Sequence, residues 1–226
     1  MGDNRNKYRL ERKFYVTDLS YVEIEHLLRL HPSLLREIYH KRMINNIYFD
    51  THDYRFLHEN VAGIADRTKV RIRWYGNLFG TIENPVLEFK LKKGHVGTKK
   101  TFNLSKFVLD ENLSAEKLKE WIQQGDMPDR IKEICLTLQP VLILHYGRKY
   151  LQSFDKQFRI TLDDNVTYYK FLHGLNRLTN KKVEKQATII ELKYQNESDG
   201  SAFEISNLFP FRMTKSSKYV KGVENF

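Results

Sequence analysis

The sequence predicts a mainly β, α+β fold: a closed antiparallel β-barrel of about eight strands with a charged lumen and amphipathic helices packed outside it. Three observations carry this reading. First, short segments alternate charged and apolar residues with period two, as in Lys69-Val70-Arg71-Ile72-Arg73-Trp74 and Leu87-Glu88-Phe89-Lys90-Leu91-Lys92, and residues two apart in a strand share a face. Second, the same split recurs at Glu11/Lys13, Arg159/Asp163 and Glu191/Lys193, so several strands share a face rich in Arg, Lys and Glu. Third, the chain also encodes helices with one apolar side. If these cover the apolar faces of the strands, the charged faces are left to converge, and a closed sheet with a charged lumen is one solution. The bland reading of each strand is a solvated outer face.

The first strand is expected over Tyr8 to Val16, with Leu10, Arg12, Phe14 and Val16 alternating with Arg9, Glu11, Lys13 and Tyr15. A helix follows, capped by Asp18 or Ser20, with Val22, Ile24, Leu27, Leu28 and Leu30 at helical spacing and Pro32 marking its end. Met43 to Asp50 reads as the next strand, followed by a connecting segment through Gly63. Arg67 to Tyr75 and Val86 to Lys92 form the most charged pair, joined by a loop with Gly76, Gly80 and Pro85. Gly97 to Leu104 is a further strand, placing Lys99 with Thr101 and Asn103, and Lys100 on the opposite side. Helices are expected over Leu113 to Gln124, capped by Ser114, and over Asp129 to Leu136. Pro140 to Tyr150, Phe158 to Leu162, Val166 to Leu172 and Val183 to Tyr194 complete the strands. Ala202 to Leu208 reads as a helix, and the tail holds Lys215-Ser216-Ser217-Lys218.

At 226 residues one domain over 1–226 is expected. Hydrophobic residues make up 41% of the chain, enough for a packed core, which excludes disorder as the reason for the formal net charge of +10. That charge points to a polyanionic partner without choosing among nucleic acid, acidic lipid, nucleotide and polyphosphate. Cys135 is the single cysteine, so there is no intrachain disulfide and no thiolate cluster, and its setting between Ile134 and Leu136 suggests a buried small hydrophobe. Met1 to Lys7 is polar and basic, and no apolar run spans a bilayer; a cytoplasmic setting without an intrinsic membrane segment is expected, with a membrane partner left open.

Arg71 with Arg73 is the strongest local element, because two guanidiniums from one strand can grip adjacent phosphoryl groups. Lys13 and Lys90 add point charges, and Arg148, two residues after Tyr146, adds another fork. Glu11, Glu88 and Glu191 each stand two residues before a lysine. A basic grip with a carboxylate to retain a divalent metal suits phosphoryl chemistry, and Glu191, on a strand between Ile190 and Leu192, is the best ligand candidate. A Glu191–Lys193 ion pair without metal is the rival. His26, His31, His40, His52, His58, His95, His145 and His173 form no metal-ligand spacing, and Walker A, GxGxxG and serine-elbow sequences are absent. The cations lie inside strand patterns, which disfavours nucleic acid as partner.

Taken in order, Glu11-Arg12-Lys13, Arg71-Ile72-Arg73-Trp74-Tyr75, Leu87-Glu88-Phe89-Lys90, Tyr146-Gly147-Arg148, Ile190-Glu191-Leu192-Lys193 and Lys215-Ser216-Ser217-Lys218-Tyr219 resemble the VTC (vacuolar transporter chaperone) domain, of the triphosphate tunnel metalloenzymes, over about residues 8–222. The resemblance implies a basic barrel tunnel that binds a nucleoside triphosphate such as ATP, or polyphosphate, with Mn²⁺ or Mg²⁺. It implies Lys13, Arg71, Arg73, Lys90, Arg148, Lys215, Ser217 and Lys218 as phosphate ligands, with Lys99 and Tyr146 on the same wall. Glu191 would hold the metal, with Glu11 the next candidate. Arg71, Arg73, Lys90, Arg148 and Glu191 would form the catalytic set. Glu11-x-Lys13, in place of a longer Glu-x-Glu-x-Lys, favours the polymerase-like branch. The expected function is metal-dependent transfer of a terminal phosphoryl group to phosphate or polyphosphate, with a triphosphatase or a non-catalytic polyphosphate-binding module as alternatives.

Overall fold

A computed structural model describes residues 9–94, 96–172 and 177–226. The expected strand start at Tyr8, the Met1–Lys7 segment, His95 and His173 lie outside the described residues. In chain order the elements are β1 (Arg9–Val16), α1 (Tyr21–Arg29), β2 (Arg36–Asp50), α2 (Arg55–Val61), β3 (Arg67–Tyr75), β4 (Gly80–Ile82), β5 (Val86–Lys93), β6 (Val96–Asn103), β7 (Phe107–Leu109), α3 (Ala115–Gln123) and α4 (Asp129–Leu136). They continue with β8 (Gln139–Gln152), β9 (Arg159–Leu172), β10 (Arg177–Glu184), β11 (Thr188–Gln195), α5 (Asp199–Asn207) and α6 (Lys218–Glu224). Two of the helices start at the serine caps expected from the sequence. The Ser20 hydroxyl accepts from Glu23 N while the Glu23 carboxylate accepts from Ser20 N, and Ser114 accepts from Lys117 N.

Mainly β and antiparallel is the architecture observed, but two expectations need correction. The main sheet follows the hydrogen-bonded order β1-β11-β9-β8-β2-β3-β5-β6, with β10 beside β9, and β4 pairs with β7 separately. This path ends at β1 and at β6, so among the described residues the sheet is open and the expected closed barrel is not formed. Charge alternation identifies the faces of a strand equally well in open and closed sheets; closure depends on stagger and end-strand pairing, which alternation does not encode. The strand count also differs from about eight. Phe158–Leu162 and Val166–Leu172 belong to one strand, β9, which passes through Asp163-Asp164-Asn165 with Asn165 in the left-handed region at φ 51°, a conformation Asn tolerates. Val183–Tyr194 divides at Lys185-Gln186-Ala187 into β10 and β11. β2 begins at Arg36, seven residues before the expected start. Its early residues are mostly exposed on both faces, so no alternation announces them.

The chain divides into two compact units. The first runs up to Arg42 and includes Gly147–Asn165 and Glu184–Ser216. Its core gathers Phe14, Ile24, Leu28, Ile160, Leu162, Ile190, Leu192 and Phe209, so the apolar residues of β1, β9 and β11 lie under α1. The second comprises Met43–Tyr146, Val166–Val183 and Ser217–Phe226. Its core joins Ile47, Val70, Ile72, Trp74, Leu87 and Phe89 to Leu118, Ile122 and Cys135 of α3 and α4, and Phe107 stacks on Trp121 at 4.0 Å between centroids. Burial pushes the Cys135 thiol up to about 12, in keeping with a small core residue. In both units helices cover the apolar sides of strands, which fixes where the charged sides of those strands are. Among the described residues no helix is long and apolar enough to cross a membrane.

Candidate functional site

In the second unit, register assembles the charged side chains of four strands. Tyr48 of β2 stands opposite Arg71 of β3, which stands opposite Glu88 of β5, which stands opposite Thr101 of β6. Two residues away, Lys69, Lys90 and Lys99 form a second row, and Asn46 faces Arg73. Glu88 is only 4% exposed and is the electrostatic centre of the face. Its Oε2 accepts from Arg71 Nε at 2.7 Å, with Arg71 Nη2 at 2.6 Å and Arg73 Nη1 at 3.8 Å, and its Oε1 accepts from Lys99 Nζ at 3.0 Å. Burial works to raise its pKa, but the fields of Arg71 and Arg73 and the hydrogen bonds from Arg71 and Lys99 win, holding the carboxyl at about 2. Arg73 Nε also donates to Asn46 Oδ1 at 3.0 Å, so both guanidiniums are oriented before any ligand arrives. Lys90 and Lys99 are exposed at the edge of this arrangement.

The tail contributes to the same unit through α6. Ser217, its N-cap, accepts from Lys69 Nζ at 3.0 Å. Lys218 Nζ lies 5.1 Å from the Tyr146 ring centroid. Tyr219 donates its hydroxyl proton to Asp50 Oδ2 and stacks on Tyr48 at 5.1 Å. Asp50 in turn accepts from Phe56 N and Leu57 N at the start of α2, so one buried carboxylate ties two helices to β2.

The first unit carries a second charged face, on β1, β11, β9 and β8. Lys13 stands opposite Glu191, which stands opposite Thr161. Lys13 Nζ lies 2.9 Å from Glu11 Oε1 and 3.8 Å from Glu191 Oε1, while Glu191 Oε2 meets Lys193 Nζ at 2.8 Å and Arg148 Nη2 at 3.4 Å. Arg148 is a buried fork whose Nε and Nη2 reach the two oxygens of Asp163 at 2.5 Å each. The segment before α6 runs beside β1: Thr214 N donates to Lys13 O at 2.7 Å and Lys13 Nζ donates to Ser216 O at 3.2 Å.

Of the residues expected in a site, the structure thus groups Arg71, Arg73, Lys90, Lys99, Tyr146, Ser217 and Lys218 in the second unit and Glu11, Lys13, Arg148 and Glu191 in the first. Lys215 belongs to the first unit and is exposed. Sequence reasoning missed Asp163 as the counter-ion of Arg148, although its alternation with Arg159 and Thr161 placed it on the right side, and missed Tyr48 and Lys69 as partners of Arg71 and Ser217.

Divalent-metal retention can be tested against these donors. Among the described residues no group of three or more His, Cys, Asp or Glu side chains is arranged to hold a metal, so an all-protein cage is excluded there. Asp163 is engaged by the Arg148 fork. Glu191 is engaged by Lys193 and Arg148 at Oε2 and approached by Lys13 at Oε1, and Glu11 meets the same Lys13 ammonium. The two carboxylates that share Lys13 match the sparse mode in which one or two carboxylates hold Mg²⁺ or Mn²⁺ and substrate phosphates supply the rest, with Lys13 giving way to the ion.

A family model described as the VTC domain matches residues 8–226. The chain belongs to that family. A comparison with curated proteins finds no match. Among solved structures, this VTC domain is similar to a protein from Vibrio parahaemolyticus described as a candidate adenylate cyclase, with a TM-score of 0.54 at 10% identity over 97% of this chain and 99% of that one. It is similar to the PH1819 protein from Pyrococcus horikoshii OT3, with a TM-score of 0.51 at 16% identity over 97% and 100% of the two chains. HpAC1 from Hippeastrum, described as a candidate adenylyl cyclase with a dominant triphosphatase activity, gives 0.50 at 13% identity over 96% of each chain. At these identities the likeness concerns the fold.

Proposed function

We propose that this VTC domain is a triphosphate-handling enzyme that transfers the terminal phosphoryl group of a nucleoside triphosphate, such as ATP, to phosphate or polyphosphate, with residues 1–226 acting as one domain whose core is about 8–222. The observation that carries this reading is the pairing of Arg71 and Arg73 around the buried Glu88, with Lys69, Lys90 and Lys99 in the adjoining row. Such a face presents oriented guanidinium forks and flexible ammonium groups together, which is what a chain of linked phosphoryl groups requires. In the reaction the bond from the terminal phosphorus to the bridging oxygen breaks, ADP leaves with the electron pair, and a new bond forms to an acceptor phosphate oxygen. Arg71, Arg73, Lys90 and Arg148 would spread the charge that develops on the transferred group. Lys13, Lys99, Lys215, Ser217 and Lys218 would hold phosphates along the chain, and Tyr146 would support Lys218. Glu191, with Glu11, would hold Mn²⁺ or Mg²⁺, whose chemistry when bound is neutralisation of phosphate charge.

A triphosphatase, in which water replaces the acceptor phosphate, is the second reading, favoured by the fold shared with HpAC1 and its described triphosphatase activity. Incubation of the purified chain with ATP and Mn²⁺ separates the readings. ADP together with polymer that resists a phosphomonoesterase on a gel is expected, and Arg71→Ala or Lys90→Ala should suppress both products. Glu191→Gln keeps the side-chain size while removing its charge; it should lower metal-dependent turnover of the folded fraction by orders of magnitude. Because Glu191 is buried among Lys13, Arg148 and Lys193, it should also lower the thermal melt, so turnover is compared at a temperature where both proteins are folded. Orthophosphate as sole phosphate product supports the triphosphatase. Tight polyphosphate binding with no ADP under any metal reduces the protein to a binding module.

A further inference from the structure

We propose, resting on the phosphate-handling reading above, that the Tyr48 hydroxyl is a phosphate-binding group that donates its proton to a phosphoryl oxygen of the anion gripped by Arg71. Tyr48 lies on the charged side of β2, since Ile47 and Phe49, its neighbours in sequence, belong to the core. It stands opposite Arg71 in register, and its oxygen accepts from Arg71 Nη1 at 3.0 Å. Among the described residues this accepted bond is the only hydrogen bond of that hydroxyl. A phenol has one proton to give as well as lone pairs to offer, and a phenol only 7% exposed is expected to place that proton on an acceptor.

The nearby carboxylates are committed elsewhere. Asp50 accepts at Oδ1 from Thr51 N and Phe56 N, and at Oδ2 from Leu57 N and the Tyr219 hydroxyl. Glu88 is held by Arg71, Arg73 and Lys99. An anion brought onto this face is the acceptor that remains. Tyr48 is also kept in place for the task, because its ring stacks on Tyr219 with 23° between planes and Tyr219 is pinned to Asp50. Burial works to raise the pKa of the phenol, but the fields of Arg71 and Arg73, the hydrogen bond from Arg71 and the field of Lys218 pull it below the ordinary value. A phenol polarised in this way is a stronger proton donor, and its acceptor would be charged.

The test uses inorganic tripolyphosphate, titrated calorimetrically against the whole chain without metal, so that no turnover intervenes. Tyr48→Phe retains the ring and its stacking on Tyr219 and removes only the hydroxyl. Its affinity is expected to fall about tenfold or more, the usual worth of a hydrogen bond to a charged group, measured at a temperature where the variant is folded, since the bond accepted from Arg71 is lost as well. A role exercised only through Arg71 is separated by a double-mutant cycle. In an Arg71→Ala background, Tyr48→Phe should still weaken binding, and disappearance of the whole effect there would overturn direct contact. Equal affinity of Tyr48→Phe and the unaltered chain would overturn the proposal outright. Should the variant not fold, the Tyr48 Cζ resonance of an isotopically labelled unaltered chain must move when tripolyphosphate is added; a fixed resonance at saturation sinks the proposal. Failure of the unaltered chain to bind tripolyphosphate is a different result, and counts against the phosphate-handling function itself.

Discussion

Glu88 shows how much one side chain can decide. It stands among cations at 4% exposure, and removing its charge would leave the partly buried Arg71 and Arg73 without a counter-ion. Glu88→Gln should therefore destabilise the fold at neutral pH by about 3 kcal/mol or more, read from chemical unfolding. Its pH dependence follows from the direction of its shift. The folded pKa of about 2 lies below the ordinary value of about 4.3, so its stabilisation is complete above that ordinary value and is lost as pH falls toward 2. Unfolding free energy measured across this window should decline, and Glu88→Gln should remove that part of the decline. The same residue marks a limit of the sequence. Alternation in Leu87-Glu88-Phe89 tells which side Glu88 takes. It does not tell that the partner is Arg71, because that pairing depends on the register across the segment between β3 and β5. The same limit hides Asp163 from Arg148: strand spacing aligns residues along a strand, and pairing across strands needs the fold.

At the scale of elements, α6 is the part that local reasoning fails to see. The tail is legible as a basic and hydroxyl-rich cluster, and Ser217 does cap the helix that follows, but Gly222 inside a seven-residue helix argues against helix by propensity. Its reason lies in packing. A Cβ at Gly222 would fall well inside 3.0 Å of both Leu142 Cδ2 and Tyr168 Cδ1, so any side chain there forces these two buried residues of β8 and β9 to shift. Gly222→Ala is expected to destabilise by about 1–3 kcal/mol through overpacking, despite the better propensity of Ala. It should also weaken tripolyphosphate binding, because Lys218 and Ser217 sit at the start of the displaced helix. A melt at or above that of the unaltered chain would refute the packing argument. The helices α1, α3 and α4, by contrast, are readable within about two residues: α1 and α3 combine a stripe of apolar residues with a serine cap, Ser20 or Ser114, while α4 has no side-chain cap.

Over the whole molecule, the proposed function and the formal net charge of +10 together predict that polyphosphate associates faster at low ionic strength. Rapid-mixing measurements should show the association rate falling steeply toward about 1 M salt, where screening is nearly complete within a few ångströms. The exposed Lys90 and Lys99 should account for more of that dependence than the partly shielded Arg71 and Arg73, so Lys90→Ala should flatten the salt response more than Arg73→Ala does. The sequence conveys the mainly β character and the sidedness of the strands, while the open path from β1 to β6 depends on end-strand pairing that no alternation records. That open path has a consequence for the life of the protein in a crowded cell. Among the described residues β6 ends it as an edge, and an edge strand offers unpaired backbone groups to any stray extended chain. Lys99 and Lys100 point to opposite sides of β6 and both are exposed. A foreign strand docking there would meet a positive charge on either side, and sliding by one residue would only exchange one lysine for the other. The molecule thus carries, in two adjacent lysines, its own guard against templated aggregation.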